Sequence, residues 1–376
     1  MNAERVHAIA NAVSDDLKQQ EILPLLEQLI AQLQNQINEP GQPQHQQNVG
    51  QFRENLDGAL RASKSNQFSP IWKQSLDEMG ISHLLGSELA HRINAAFVHD
   101  QVTPAVVQQE LKRIQKQLKA LQASLDNLIA SFAQLNIAAE ELAPAECEVG
   151  ILIPREYVGN RLDRLSAEFS ELNQILGVFS ELANDGRPSF QVRTISTTDF
   201  SVFIAAAHHT CRLIAMAVEG VVSLYKGLVD LRKIYAELRE KHKVNEKNTK
   251  GIEDHSNQVI EAGIEVIAAK LLKECAPSLG EGRMNEISIE LKYSLKRVAR
   301  RIDRGFNFEV RMSAPAEPEA SEDGTASPES QIQQDLAKSY EIIKGASEEL
   351  QFLKLEGDPI LSLPEEKPAV PPANQT

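Results

Sequence analysis

The chain has 376 residues, 42% of them apolar, so it is long enough to bury a substantial core in two or three units. Its 53 acidic residues outnumber the 39 basic ones and give a net charge of -14, which opposes non-specific attraction of the whole molecule to nucleic acid or anionic lipid. The 3 cysteines form no CxxC pair, which argues against a disulfide framework and against a zinc ribbon.

The N-terminus, MNAERVHAIANAVSDDLKQQ, carries acidic residues where a secretory signal peptide needs a basic start and an unbroken apolar run. Export by that route is therefore not expected. Because widely spaced cysteines also suit a reducing compartment, the sequence predicts a cytoplasmic protein.

A heptad seam is the strongest pattern in the N-terminal part of the chain. Apolar residues alternate at steps of four and three over four repeats, which predicts a coiled-coil-like helix from Pro104 to about residue 138. The seam consists of Val107, Leu111, Ile114, Leu118, Leu121, Leu125, Leu128, Phe132 and Leu135. Its e and g positions are nearly all uncharged, so we expect it to pack inside the chain, against a helix at about residues 23–37.

The rest of this region also favours helices. A polar segment at residues 39–48, EPGQPQHQQN, is expected to be a loop. Shorter amphipathic helices are predicted at residues 49–65, 70–79 and 82–98. We therefore interpret residues 1–140 as a helical bundle.

After the bundle, the pattern changes to that of a small α+β domain at residues 146–312. Strands are predicted for CEVGILIPR, for SFQVRTIS and FSVFIAA on either side of the turn TTD, and for FNFEVRM at 306–312. A helix with an apolar stripe from Leu162 to Phe179 follows the first strand and is expected to stop at residues 184–186. Two more helices, at about 252–274 and 284–304, precede the last strand. The order β-α-β-β-α is the start of a ferredoxin-like layout, in a chain that is mainly α.

The most apolar segment, FIAAAHHTCRLIAMAVEGVVSLYKGLVDL, raises the question of a membrane span. Every window of sufficient length contains charges, each costing about 2.5 to 3.5 kcal/mol near a bilayer centre, so we reject a span and an integral membrane protein. The charges recur every seven residues, at Arg212, Glu219, Lys226, Lys233 and Glu240. This spacing predicts one long core helix at 206–242 with a single solvated edge. An amphipathic helix that leaves the fold for a membrane interface is the alternative.

Three segments are predicted after the last strand. Residues 313–328, SAPAEPEASEDGTASP, are expected to form a disordered linker. Residues 329–353 carry the spacing of an amphipathic helix, and residues 354–376 are expected to be a flexible tail.

Histidine and cysteine residues form no recognisable ligand set. In HHTC, His208 and Cys211 share a helix face, but His209 points about 100° away, and no CxxC, HxxxH or HExxH partner completes four ligands. A second set recurs at steps of eight and shares no face: His83, His91 and His99. Phosphate-binding loops and the GxSxG nucleophile elbow are also missing in their usual forms, so the sequence predicts no catalytic, cofactor-binding or metal site.

One strong cationic cluster lies in LKYSLKRVARRIDRG. The expected buried stripe is Leu291, Leu295, Val298 and Ile302, which leaves six basic residues spread over exposed faces as candidates for anion or nucleic-acid contact: Lys292, Lys296, Arg297, Arg300, Arg301 and Arg304. The plainer interpretation is that they neutralise acidic neighbours or the acidic linker at 317–323. The sharper one is a phosphate-bearing partner, nucleic acid or anionic lipid, contacted by the four arginines.

These patterns favour a non-catalytic cytoplasmic protein, adaptor-like or regulatory, that binds a protein partner, or a second copy of itself, through helical surfaces. Nucleic acid or anionic lipid at the helix of residues 287–304 is the less favoured partner. Two alternatives from other classes stay open. One is a membrane-active effector, soluble at rest, that exposes helix 206–242 on activation, and the other is an enzyme with an unrecognised site.

Overall fold

The computed structural model describes residues 3–99, 103–183, 186–196, 200–241, 246–275, 281–316, 328–349, 355 and 358–363. By their internal contacts the residues fall into two units, Met1–Glu141 and Leu142–Thr376, which we describe separately. The fold is mainly α, and the second unit contains a four-stranded antiparallel sheet.

The first unit is helical throughout its regular structure. Its helices are α1 (Ala3–Gln19), α2 (Ile22–Asn38), α3 (Pro43–Ala62), α4 (Pro70–Glu78), α5 (Gly86–His99) and α6 (Pro104–Gln134). The seam residues of α6 up to Leu125 are buried in one core with Leu26, Leu29 and Leu33 of α2, which confirms that the seam packs inside the chain. The far end of the seam differs from the expectation, since α6 ends at Gln134 and Leu135 is exposed.

The loop predicted for residues 39–48 is confirmed only at residues 39–42, because α3 begins at Pro43. Proline suits the first turn of a helix, where its missing N–H is not needed. The polar residues that follow are stabilised by side-chain hydrogen bonds: Gln44 donates to Asn48 at 3.0 Å, and Asn48 donates to Gln32 of α2 at 3.3 Å. Polar composition alone therefore did not identify a loop here.

The sheet of the second unit consists of β1 (Cys147–Ile153), β2 (Gln191–Ser196), β3 (Phe200–Ala205) and β4 (Asn307–Met312). The strand order is β2-β3-β1-β4, and every neighbouring pair is antiparallel. In the centre, Val149 of β1 is opposite Ile204 of β3 on one side and Val310 of β4 on the other. This is the split β-α-β arrangement of ferredoxin-like domains, and it confirms the fourth strand.

Helices of the second unit share one hydrophobic core with this sheet. They are α7 (Arg155–Val158), α8 (Leu162–Leu182), α9 (His208–Lys226), α10 (Val229–Lys241), α11 (Glu246–Glu274), α12 (Glu281–Asp303) and α13 (Pro328–Glu349). Alternate residues of β1, Cys147, Val149, Ile151 and Ile153, belong to one core with apolar residues of α8, α9 and α12. In chain order, the four helices α9 to α12 connect β3 to β4, whereas the ferredoxin-like β-α-β-β-α-β layout has one helix at this point.

The single helix predicted for residues 206–242 is wrong, since α9 and α10 are separated by a turn at Gly227 and Leu228. Glycine costs about 1 kcal/mol in a helix interior, and the turn lets the Leu228 side chain enter the core. The charge stripe also departs from the expected solvated edge, because Arg212 is buried. None of the described helices is both long and apolar enough to cross a bilayer.

A buried polar cluster holds the C-terminal end of α12, and we call it the Asp303 cluster. Arg232 Nη1 donates to Asp303 Oδ1 at 2.9 Å and to the Tyr225 hydroxyl at 2.8 Å, and that hydroxyl donates to the same carboxylate oxygen. The backbone N–H groups of Ile360 and Leu361 donate to the carboxylate at 3.2 and 2.9 Å. Burial raises the pKa of Tyr225, and the negative charge of Asp303 raises it further, so the hydroxyl keeps its proton.

The Asp303 cluster corrects the prediction of a flexible tail over 354–376 for residues 358–363. Ile360 and Leu363 are buried in the core of the second unit. The rest of that tail, apart from residue 355, and the part of the predicted linker at 317–327 lie outside the described residues.

Candidate anion-binding site

The apolar spacing of α12 decides which way its basic residues point. Leu291, Leu295, Val298 and Ile302 are all buried, at steps of four and three, so this stripe faces the core as predicted. The basic residues occupy the remaining circumference and divide into two groups that meet different helices.

The first group is Lys292 and Lys296, which lie one turn apart and face α11. Lys292 Nζ is 2.5 Å from Glu265 Oε2, and Lys296 Nζ is 2.9 Å from Glu261 Oε1. These two lysines thus fit the plainer interpretation, neutralisation of acidic neighbours. The acidic linker at 317–323 lies outside the described residues, so its predicted pairing with the basic residues of α12 is not tested.

The second group is the four arginines, and the structure brings all of them to one cavity of about 560 Å³. We call this cavity the arginine pocket. It is lined by Tyr157, Val158, Arg164, Ala167, Glu168, Glu171, Gln174, Tyr293, Arg297, Arg300, Arg301 and Arg304. Arg297 and Arg301 are only 6% exposed, which corrects the expectation that all six basic residues lie on exposed faces.

Two glutamates on α8 make the burial of these arginines possible. Arg301 donates to both carboxylate oxygens of Glu168, at 2.6 and 3.1 Å, in a bidentate pair that is almost fully buried. Arg297 forms an ion pair with Glu171, which also lies 3.7 Å from Arg301. Arg164, Glu168 and Glu171 follow one another at steps of four and three, so one face of α8 meets the arginine face of α12.

Aromatic rings support the arginines from the rim. Arg304, which is exposed, lies over Tyr157 at 5.4 Å from the ring centroid, and Arg297 lies over Tyr293 at 5.3 Å. Tyr157 in turn packs edge-on against Phe306 with centroids 4.9 Å apart. The rings orient the guanidinium groups without neutralising their charge.

Basic side chains outnumber acidic ones in the described lining of the pocket. That lining contains five arginines and two glutamates, an excess of three formal positive charges. Burial lowers the pKa of Arg297 to about 10, and repulsion from Arg301 lowers it as well. An arginine whose charged form is disfavoured in this way marks a place where additional negative charge would be stabilising.

A phosphate group is the anion that this arrangement suits best. Guanidinium presents two parallel N–H donors that match two oxygens of a phosphate, and several arginines can share one highly charged ligand. Small-molecule sites usually have volumes of about 300 to 1,000 Å³, and the cavity falls within that range. Its lining is polar and charged, which favours a polar ligand over an apolar one.

Sequence reasoning found the four arginines of α12 but missed their partners on other elements. Arg164, Glu168 and Glu171 have the i, i+4, i+7 spacing of one helix face, a signal that was readable in the sequence. Tyr157 carries no local signal, because it reaches the pocket only through the short helix that follows β1. Nothing in the sequence indicated that α8 would pack against α12.

The residues discounted as metal ligands do not lie at this pocket. His208 and His209 lie against α13, and the Cys211 thiol is 3.8 Å from the carbonyl oxygen of Ala206.

Comparison with protein-family models, with curated proteins and with solved structures gives no match. The functional proposal is therefore based on the geometry of the arginine pocket.

Proposed function

We propose that this protein is a non-catalytic regulatory protein that binds a compact phosphate compound with two or more negative charges at the arginine pocket. The observation that carries the proposal is the convergence of five arginines, against two glutamates, in the described lining of one cavity of small-molecule size. Bound ligand would add negative charge to a cavity whose described lining contains more arginines than glutamates.

The shape of the site favours a soluble compound over nucleic acid or a lipid surface. Duplex or single-stranded nucleic acid is usually held along an extended basic surface, whereas these arginines converge on one cavity. The two lysines that would extend the basic face along α12 are paired with Glu261 and Glu265. Nucleic acid and anionic lipid are thus the competing ligands in the test.

The proposed role is regulatory because ligand would join α8 to α12 and to the segment after β1, and so stabilise one arrangement of these elements. In this proposal a protein partner recognises the helical surfaces of the ligand-bound form, as the sequence-based hypothesis of an adaptor-like protein expects. The alternatives of a membrane-active effector and of an enzyme are outcomes of the experiment below.

The experiment measures binding of four soluble probes to the full chain by calorimetry at low salt: inorganic phosphate, pyrophosphate, ATP and inositol hexakisphosphate. Affinity should rise with the charge of the probe. Each hydrogen bond between charged groups contributes about 1.5 to 3 kcal/mol, so the double variant Arg300→Ala/Arg304→Ala should bind at least about 100-fold more weakly. The matched control, Lys292→Ala/Lys296→Ala, removes the same charge from the same helix and should bind like the parent.

Four results would overturn the proposal. Failure of every soluble probe to bind the parent would reject it, as would equal losses in the two double variants. If the parent binds single-stranded RNA or phosphatidylserine vesicles but none of the soluble probes, the pocket is a site for nucleic acid or anionic lipid instead. Release of phosphate from pyrophosphate or ATP would replace a binding protein with an enzyme.

A further inference from the structure

A second cluster of chemically active side chains lies where the first turn of α9 meets the middle of α13. His208 and His209 begin α9, and Asp335 comes from α13, more than 100 residues later. One potential ligand atom from each of the three lies within 4.8 Å of the other two. The imidazole rings lie with centroids 3.9 Å apart at an interplanar angle of 36°, although adjacent helical residues ordinarily diverge.

The donor set is that of a transition-metal site. Two imidazoles and one carboxylate are ligands for zinc and for other divalent ions of the first transition row. Ligand atoms around tetrahedral zinc are about 3.3 Å apart, given bond lengths of roughly 2.0 to 2.2 Å, and side-chain rotation reaches that spacing from the observed separations. His209 and Asp335 are half-buried, with side chains 37% and 38% exposed, so an ion can reach them from solvent.

The surrounding residues hold these ligands as the outer partners of metal sites do. Ser339, one turn after Asp335, places its hydroxyl oxygen 3.1 Å from His208 Nδ1. Arg212 donates to Asp335 Oδ1 at 3.2 Å, while the other carboxylate oxygen, Oδ2, contacts His209 Nε2. A ligating carboxylate is commonly hydrogen-bonded through its second oxygen, and a ligating imidazole through its second nitrogen.

Arg212 also limits the affinity of such a site. Its positive charge repels a divalent ion, so the carboxylate supplies the net attraction and the histidines supply neutral donors. A three-residue set leaves a coordination position for water, as catalytic zinc sites do. The arrangement therefore suits reversible binding more than a permanently closed structural site.

We propose that His208, His209 and Asp335 bind one divalent transition-metal ion, with zinc as the reference ion, and that the ion fastens α13 to the start of α9. Binding of the ion displaces to solvent the proton of the hydrogen bond between His209 Nε2 and Asp335 Oδ2. This inference is independent of the arginine pocket, because none of the three ligands belongs to its lining. The sequence-based prediction of no metal site did not consider Asp335, because no local spacing connects this residue to the histidines.

The experiment titrates tag-free, chelator-treated full chain with zinc chloride in a calorimeter and with cobalt chloride in a spectrometer. We expect one ion per chain and the visible absorption of cobalt with nitrogen and oxygen ligands. The variants His209→Ala and Asp335→Asn should each weaken zinc binding by at least about 10-fold, the lower limit seen even for outer-sphere partners. His255→Ala, which removes an exposed histidine of α11, and Cys275→Ser, which removes a half-buried thiol, should bind zinc like the parent.

A thermal measurement keeps the test decisive if a variant is less stable. Zinc should raise the melting temperature of the parent and of the two controls, but not that of His209→Ala. Absence of saturable zinc or cobalt uptake by the parent would show that His209 and Asp335 form only a proton-mediated ion pair. Unchanged uptake in His209→Ala, or loss of uptake in Cys275→Ser, would place the ion elsewhere and reject the site.

Discussion

Asp303 and Arg304 are neighbours in the chain, yet they belong to clusters of opposite kind. In the Asp303 cluster, one buried carboxylate faces one arginine, one tyrosine hydroxyl and two backbone N–H groups, so charge and hydrogen-bonding capacity are matched. In the arginine pocket, five arginines face two glutamates. Matched burial is typical of a structural role, and the excess of arginines in the pocket is the basis of the proposed ligand binding.

Solvent access explains why both arrangements are tolerated. Asp303 is 1% exposed, so an unmatched charge at its position would carry a large desolvation penalty. The pocket opens to water near the exposed Arg164 and Arg304, which screens the surplus when no ligand is bound. The two clusters can therefore be tested by substitutions that change the charge balance in each.

The largest expected effect is that of Arg232→Leu in the Asp303 cluster. The substitution leaves the Asp303 carboxylate buried without its cation, which typically costs about 3 to 5 kcal/mol of the free energy of unfolding. Urea denaturation measures the loss. Lys233→Leu also replaces a cation with leucine, but at an exposed position of the same helix, and should cost less than about 0.5 kcal/mol. Similar values for the two variants would contradict the matched cluster.

A smaller loss of stability, together with a gain of affinity, is expected for Glu168→Gln in the arginine pocket. The substitution removes the charge partner of Arg301 but keeps one acceptor, so the free energy of unfolding should fall by about 1.5 to 3 kcal/mol. Pyrophosphate should bind this variant more tightly than the parent, because the surplus of positive charge increases. The control Glu286→Gln affects an exposed pair with Arg283 and should change neither quantity. Weaker pyrophosphate binding in Glu168→Gln would mean that the pocket does not select anions by charge.

The smallest effect is expected for Tyr157→Leu, which removes the ring beneath Arg304. An exposed cation–π contact contributes about 0.5 to 1 kcal/mol, so pyrophosphate affinity should fall by that amount. Tyr157→Phe keeps the ring and should bind like the parent, which calorimetry of both variants checks. If the phenylalanine variant loses as much affinity as the leucine variant, the tyrosine hydroxyl and not the ring is the relevant group.

The sequence predicted those features that depend on local spacing. The buried stripe of α12, the four strands and the in-chain packing of the heptad seam all follow from apolar periodicity. Features that depend on tertiary partners were not predictable in the same way. Lys296 and Arg297 are adjacent, but one faces Glu261 of α11 and the other Glu171 of α8, and helix packing alone decides between them.

The same limit applies to the errors. Gly227 lowers the stability of a helix interior, and this signal is present in the sequence. The prediction of one helix for 206–242 followed the seven-residue charge spacing instead. The packing of residues 358–363 could not be predicted from a proline-rich, polar context, because it depends on acceptors that Asp303 supplies. Asp335 joins His208 and His209 only after α13 has packed on α9.

The central position of β1 in the sheet has a consequence for synthesis of the protein. One edge of β1 pairs with β4, whose residues follow the end of β1 by more than 150 positions. At a translation rate of about 5 to 20 residues per second, β4 is synthesised roughly 8 to 30 s after β1, and the β1 edge is unpaired during this time. An unpaired strand edge is a template for wrong pairing, so nascent chains on the ribosome should depend on holding chaperones until residue 312 has emerged.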